Sequence, residues 1–300
     1  MKRNDTRERE SRRSAIRGRL LRENQYLQVV SLNTLWIEDE REERQNLAGK
    51  LLKQAKAEIA LLQEIPARDL DGSLRRISQS SGLEVLAVGV GSGESATAIL
   101  SNLEGEGEEP VIYTGSEYRF ANAVGIVRVN GLVLRVCSAH QPWGGLAENE
   151  RVQAAIRLNE ELSQRGTVDG CVLGGDFNAL EDTESIRYLT GVQTVGGRTA
   201  QWTDAWHVAG EGDGITSSPD NPWAISVGVR HGFLEPDLLP ERRIDYIFVQ
   251  GYAHGNLLSP LQAEVLKRVE GTAFYPSDHW AVGAKLYLPR PVQGGDPLNP

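Results

Sequence analysis

Polar residues of a few chemically useful types recur at the ends of apolar runs along the 300-residue chain. Asn33 follows VVSL, Glu64 follows ALLQ, and Asp176 and Asn178 follow VLGG; Asp245 lies in RRIDYIF, and Asp278 and His279 lie in SDHWAV. His140, after CSA, stands apart from these clusters. Glu64 and Asn33, with Asp278 as a further donor, offer hard oxygen ligands, and no Cys/His cluster points to zinc or iron. Such donors suit Mg²⁺, Mn²⁺ or Ca²⁺. Magnesium takes one or two carboxylates and leaves its other positions to water and phosphate oxygens, so a sparse Glu-plus-Asn site argues for a metal that works on phosphate. Phosphoryl transfer also needs an oriented water, a way to neutralise the phosphoryl oxygens and a stabilised leaving group. Asp176 is suited to orient or deprotonate the water, and Asn178 to donate to a phosphate oxygen. His140 and His279 are each suited to donate to the phosphate or to move a proton. Asp245 would fix the tautomer and orientation of His279.

The elements that must bring these residues together can be read from periodicity. YLQVVSLN and IALLQE read as strands, with an amphipathic helix between them in which Leu47, Leu51, Leu52 and Ala55 share one face. Strand, helix and strand make a βαβ-like opening. Residues 83–140 form a series of short β-rich runs parted by Gly-rich turns, and Asn130-Gly131 is a hairpin signal. Residues 147–165 read as a second amphipathic helix, CVLGGDFNAL as a strand running into a polar loop, and 181–189 as a short helix. Residues 191–240 are rich in Gly, Ser, Pro, Asp and Trp and lack periodicity, as substrate-contacting stretches do. RRIDYIFVQG reads as a strand, LQAEVLKRV is ambiguous between strand and helix, and the chain closes on a strand after SDHW. Polar residues at strand ends can share one cleft, the usual design of layered α/β sites.

Composition is that of a globular protein, with 40% hydrophobic and 24% charged residues. Residues 1–24 carry nine Lys/Arg against four acids, so the net charge of −9 divides into +5 for this head and −14 for the remainder. We expect 1–24 to be a disordered basic segment able to contact an acidic partner, 25–289 to be one catalytic domain, and 290–300 to be a disordered Pro/Gly-rich tail. The acidic body mildly favours a small or local substrate over long duplex DNA. Cys137 and Cys171 lie in apolar runs and read as buried structural thiols. With no signal-like h-region and no run long enough to span a bilayer, the expectation is a cytoplasmic protein, monomeric in the absence of any association signal.

Taken together, SLN, LLQE, GGDFN, RIDYIF and SDHWAV resemble, in order and spacing, the motifs of the endonuclease/exonuclease/phosphatase superfamily, over roughly residues 26–288. A single GDFN or SDH is weak evidence; five motifs in order are strong. The resemblance implies a four-layer α/β sandwich, with two mixed β-sheets packed face to face and helices outside. It implies Asn33, Glu64 and Asp278 at the metal, Asp176 and Asn178 at the water and phosphate, and an Asp245–His279 acid/base dyad. His140 matches the His that many members use to stabilise phosphate or leaving group; the apurinic endonucleases carry Tyr there, which tilts this chain away from that branch. The implied reaction is metal-assisted hydrolysis of a phosphoester in a nucleic acid, a phospholipid or a small phosphorylated metabolite. The alternatives are a phosphomonoesterase and a catalytically silent binding protein on the same fold.

Each residue alone has a plainer reading. Asn33 is a common turn residue, Asp176 and Asn178 form a plausible cap and Asx-turn, and His140 fits a satisfied core histidine. Arg119, ahead of NAVGIV, is a substrate-binding candidate or simply a surface arginine. Asn221, in SSPDNPW, is a second substrate-binding candidate. Trp143, Trp202, Trp206 and Trp223 would either stack on substrate or pack loop bases.

Overall fold

The computed structural model describes residues 2–116, 119–144, 146–250 and 258–289. Two six-stranded mixed sheets pack face to face. The first is built from β1 (Tyr26–Asn33), β2 (Ile59–Pro66), β3 (Glu84–Val90), β4 (Ser95–Ser101), β11 (Pro260–Leu266) and β12 (Ala281–Tyr287), in the order β11-β12-β1-β2-β4-β3. The second holds β5 (Glu104–Thr114), β6 (Arg119–Val129), β7 (Leu132–His140), β8 (Gly170–Asp176), β9 (Thr203–Asp204) and β10 (Asp245–Gln250), in the order β5-β6-β7-β8-β10-β9.

Each sheet centres on one parallel pair joined by a helical crossover. α2 (Arg41–Gln54) links β1 to β2, and α4 (Glu148–Gln164) links β7 to β8. Strands covered on both faces must be apolar throughout, which is why VVSL, IALL and CVLGG are continuous rather than alternating runs. Leu27, Val29 and Leu61 meet Val136, Val172 and Ile247 between the sheets. On one outer face Leu51 and Leu52 of α2 and Leu74 and Ile77 of α3 (Leu70–Ser81) cover Val30 and Leu62. On the other, Val152 and Leu158 of α4 cover Cys137, Leu173 and Phe248. The result is the expected four-layer sandwich. The β6–β7 turn at Asn130-Gly131 has φ of 52° and 76°, the doubly positive geometry of a two-residue hairpin.

Three local expectations change. The basic head, expected to be disordered, forms helix α1 (Lys2–Arg22). Its C-terminal end is anchored: Leu20 is buried, and the Arg17 guanidinium donates to the Val208 carbonyl at 2.8 Å. Charge composition measures the tendency to stay solvated and misses such a tertiary anchor. The ambiguous LQAEVLKRV segment is strand β11, recruited by the free edge of β12. The 191–240 stretch is less irregular than its composition: it holds β9, α6 (Ala205–Ala209) and α7 (Pro222–Arg230). The tail 290–300 lies outside the described residues.

Candidate active site

All the catalytic candidates stand at one end of the two parallel pairs. Asn33 and His140 are the last residues of β1 and β7, Asp176 ends β8, Asp245 begins β10, and His279 lies two residues before β12. Register alone juxtaposes three of them, because His140 and Asp245 both pair with Asp176 across the ladder. The GG before Asp176 is what lets β8 lie so close: a Cβ on Gly175 would stand 1.8 Å from the Ala139 carbonyl oxygen.

Asp176 Oδ2 is the focus. Asn33 Nδ2 donates to it at 3.0 Å and Asn178 Nδ2 at 3.2 Å, and His140 Nε2 and His279 Nε2 stand 3.6 and 4.0 Å away. Its other oxygen accepts the Asn178 backbone N–H at 2.8 Å, an Asx-turn that holds Asn178 at φ 50°. The plainer reading of Asp176 and Asn178 as a turn is therefore correct as local structure, and the same turn builds the site. His140 Nε2 also stands 3.6 Å from Glu64 Oε1, so this ring sits between two carboxylates contributed by different sheets.

His279 Nδ1 and Asp245 Oδ2 are 2.9 Å apart, both buried. Burial by itself lowers the imidazole pKa, but the carboxylates of Asp245, Asp176 and Asp278 together hold it well above the ordinary histidine value. Burial pushes the Asp245 carboxyl up, opposed by His279. The two groups titrate as a pair, in which the carboxylate favours the protonated imidazole.

Glu64 is positioned differently. The β2–β4 register slips between Leu62 and Ile65, and Glu64 occupies the slip with φ 55°. Such a bulge re-aims a side chain. Burial raises its carboxyl pKa, His140 lowers it, and Asp278 raises it again. Asn33 Oδ1 accepts the Leu35 N–H at 3.0 Å, and its nearby amide favours the charged form of the Glu64 carboxyl. Asn33 thus commits its amide N–H to Asp176 and its oxygen to the Leu35 N–H rather than presenting a free oxygen. Among the described residues, two groups place three ligand atoms close enough for one ion: Glu64, His140 and Asp176, and Asp176, Asp245 and His279. Asp278 joins neither, acting on Glu64 through its charge, with Oδ1 accepting the Ser277 hydroxyl at 3.1 Å.

The two substrate candidates separate. Arg119 is exposed at the start of β6, next to Phe120, whose ring meets the His140 ring edge-on. Asn221 is fully buried. It caps α7 by accepting the Trp223 N–H, and its Nδ2 donates to the Ser277 carbonyl at 2.8 Å. The capping role absorbs its acceptor, so Asn221 supports the SDH loop. The tryptophans divide likewise: Trp202 is buried, Trp206 and Trp223 donate to backbone carbonyls, and Trp143 is exposed.

Sequence reasoning missed three supporting residues. Buried Arg44 donates to the carbonyls of Thr34, Leu35, Ile37 and Asp39, stapling the loop that follows Asn33. Burial lowers its pKa to about 10, partly offset by Asp278. Asn122 accepts the His140 backbone N–H at 3.0 Å and donates to the Val111 carbonyl. Thr216 Oγ1 accepts the backbone N–H groups of Ile244 and Asp245. Arg44 carried a weak signal, as a charge inside an otherwise amphipathic helix; the other two carried none.

The sequence model described as the Endonuclease/Exonuclease/phosphatase family matches residues 30–279. The chain matches none of the curated proteins. Among solved structures it resembles truncated Caenorhabditis elegans TDP2, with 18% identity, a TM-score of 0.60 and coverage of 87% of this chain and 97% of that one. A humanized D. rerio TDP2 aligns at 16% identity and TM-score 0.61, covering 87% of this chain and 98% of that one. An endonuclease/exonuclease/phosphatase family protein from Leptotrichia buccalis C-1013-b aligns at 14% identity and TM-score 0.62, covering 87% and 99%.

Proposed function

Since the chain belongs to the endonuclease/exonuclease/phosphatase family, we propose that it hydrolyses phosphodiesters with the help of Mg²⁺ or Mn²⁺. The observation that carries this reading is the convergence of Asn33, Asn178, His140 and His279 on one oxygen of Asp176.

The donor chemistry fits a hard cation. Burial pushes the Glu64 carboxyl up and Asp278 adds to it, against the opposing pull of His140. A carboxylate held at that cost is relieved by a metal ion. Glu64 would hold it directly, with Asp278 adding negative charge beside it and Asn33 fixing the neighbouring Asp176, and when bound it would supply charge stabilisation to the phosphoryl group. The chain's own groups do the rest. Asp176, kept in place by two amides, orients the attacking water and accepts its proton. Asn178 donates to a phosphoryl oxygen. His279, held as the imidazolium by Asp245, donates to the phosphate from the other side. His140 donates to the leaving oxygen from its place between Glu64 and Asp176.

Hydrolysis of bis-p-nitrophenyl phosphate and of p-nitrophenyl phosphate, each with and without EDTA, tests the reading. Turnover of the diester, abolished by EDTA and by Asp176→Ala or His279→Ala, is expected. Faster turnover of the monoester would make the protein a phosphomonoesterase. Turnover of neither, with all three proteins alike, would make it a binding protein.

A further inference from the structure

The space between the two sheets is apolar through its middle, where Leu27, Val29 and Leu61 meet Val136 and Val172, and turns polar in the layer beneath the catalytic residues. Side chains alternate between the faces of a strand, so Ser31 shares a face with Asn33 on β1, and Ser138 shares one with His140 on β7. Gln63 continues the inward face of Ile59 and Leu61 on β2. Ser31, Gln63 and Ser138 are all wholly buried. A hydroxyl or an amide buried among apolar side chains costs free energy unless it is hydrogen-bonded. The bonds these three make therefore select one spacing of the sheets at this level.

Those bonds cross from one sheet to the other. Ser138 Oγ donates to the Leu62 carbonyl at 2.8 Å, and Gln63 Nε2 donates to Ser138 Oγ at 3.0 Å and to Ser31 Oγ at 3.4 Å. Ser138 thus grips β2 by one backbone group and one side chain. It does so where β2 leaves the β4 register: pairing is regular up to Leu62 and resumes at Ile65. Glu64 lies inside that slip, at φ 55°. The Gln63 carbonyl is held by Thr34, whose N–H donates at 2.9 Å and whose hydroxyl donates at 2.8 Å. The bulge is pinned from its own sheet by Thr34 and from the opposite sheet by Ser138. Two residues beyond Ser138, His140 Nε2 stands 3.6 Å from Glu64 Oε1.

We propose that Ser138 is a positioning residue: from the second sheet it fixes the bulge that aims Glu64, and so sets both the separation of Glu64 from His140 and the grip of the Glu64 carboxylate on a divalent cation. The part that concerns the cation rests on the proposed metal-assisted reading. Ser138 is buried and its hydroxyl is committed to Leu62 and Gln63, so it acts through Glu64 and not on the reacting atoms. A small cation with short bonds to oxygen tolerates little displacement of its ligand, which makes metal affinity a sensitive report of this tie.

Two measurements on the full chain test the inference. The first is Mn²⁺ binding by isothermal titration, at a temperature where every variant is folded. Ser138→Ala and, from the other side of the tie, Gln63→Met should each weaken binding by about tenfold. Val172→Ala removes packing from the same inter-sheet core without touching the tie, and should leave Mn²⁺ binding unchanged. The second is the crystal structure of metal-free Ser138→Ala beside that of metal-free wild type. The separation of Glu64 Oε1 from His140 Nε2, 3.6 Å here, should lengthen as the bulge relaxes. Ser138→Ala that binds Mn²⁺ like wild type, or loses no more affinity than Val172→Ala, overturns the inference, as does an unchanged Glu64–His140 separation. A wild type that binds no Mn²⁺ would instead sink the metal-assisted reading, and the separation in Ser138→Ala would still decide whether Ser138 positions Glu64.

Discussion

The two helical crossovers that meet at the cleft, β1–α2–β2 and β7–α4–β8, share a topology and build their halves of the site by different means. In the β7–β8 half the ladder itself delivers the chemistry: His140 pairs with Asp176, Asp245 pairs with Asp176 from the other side, and β8 is buried along its length. In the β1–β2 half the ladder pairs Asn33 with Gln63, and Glu64 is then aimed by leaving the β4 register. Leu35 and Glu64 both sit at φ 55°, a conformation that costs an L-residue roughly 1–2 kcal/mol. Arg44, with four backbone carbonyls in its grip, holds the adjoining loop in place. A ladder-built half should tolerate loss of a reacting group without unfolding. A bulge-and-staple half should lose structure and function together.

The sharpest way to break that contrast is Asp176→Asn. The substitution keeps the shape and removes the proton acceptor, so kcat should fall by ~10³-fold or more, the upper range for one acid–base group. Thermal stability should fall only modestly, because the amide oxygen can still accept the Asn178 backbone N–H while the bonds from the Asn33 and Asn178 amides are lost. A variant that unfolds would show that the ladder does not fix this half.

Arg44→Met supplies the opposite result. Removing the guanidinium leaves buried carbonyls of Thr34, Leu35 and Ile37 without donors, and a loss of ~3 kcal/mol in denaturant unfolding is expected. Mn²⁺ affinity, read by isothermal titration, should weaken in the same variant, while Asp176→Asn in the other half should alter it less. Equal effects of the two variants on metal binding would erase the distinction between the halves.

This asymmetry also decided what the sequence made legible. The strand-end residues of the ladder-built half announce themselves, since GGDFN and RIDYIF each couple an apolar run to its terminal polar group, as SDH does ahead of β12 in the other sheet. Glu64 was equally visible in LLQE, but the bulge that aims it leaves no mark, because a positive φ at a glutamate is imposed by tertiary packing. Asn221 is ambiguous for a related reason: a polar residue in a Ser/Pro/Asp-rich loop looks the same whether it faces substrate or caps a helix, and only the structure reveals its cap on α7. Asn122 was invisible inside NAVGIV, since a polar residue on a strand gives no sign of the backbone group it serves. The basic head read as disordered because charge composition carries no record of the Leu20 and Arg17 anchors.

At the bond that joins the loop before β12 to Asp245 of the ladder-built half, His279→Gln separates charge from geometry. The imidazole pKa lies above its ordinary value, so the protonated form persists above about pH 6.5. If that form is the active one, kcat holds through neutrality and declines on the alkaline side as His279 loses its proton. His279→Gln should lower kcat by ~10²-fold and remove that alkaline limb. A variant that retains the limb would assign it to another group.

The smallest expected effect tests the ladder at its most delicate joint. Asn122 closes the gap where the β5–β6 register slips between Glu108 and Val111, and its Oδ1 holds the His140 N–H. Asn122→Ala removes both hydrogen bonds and should cost ~1–2 kcal/mol of stability. If Asn122 positions the His140 ring, kcat should fall several-fold with KM unchanged, and Asn122→Asp, which keeps the acceptor, should restore most of it. In a His140→Ala background the same substitution should leave kcat alone, because a positioning residue has nothing left to position. Equal kcat losses in both backgrounds would mean that Asn122 serves only the strand, and that the ladder places His140 without help.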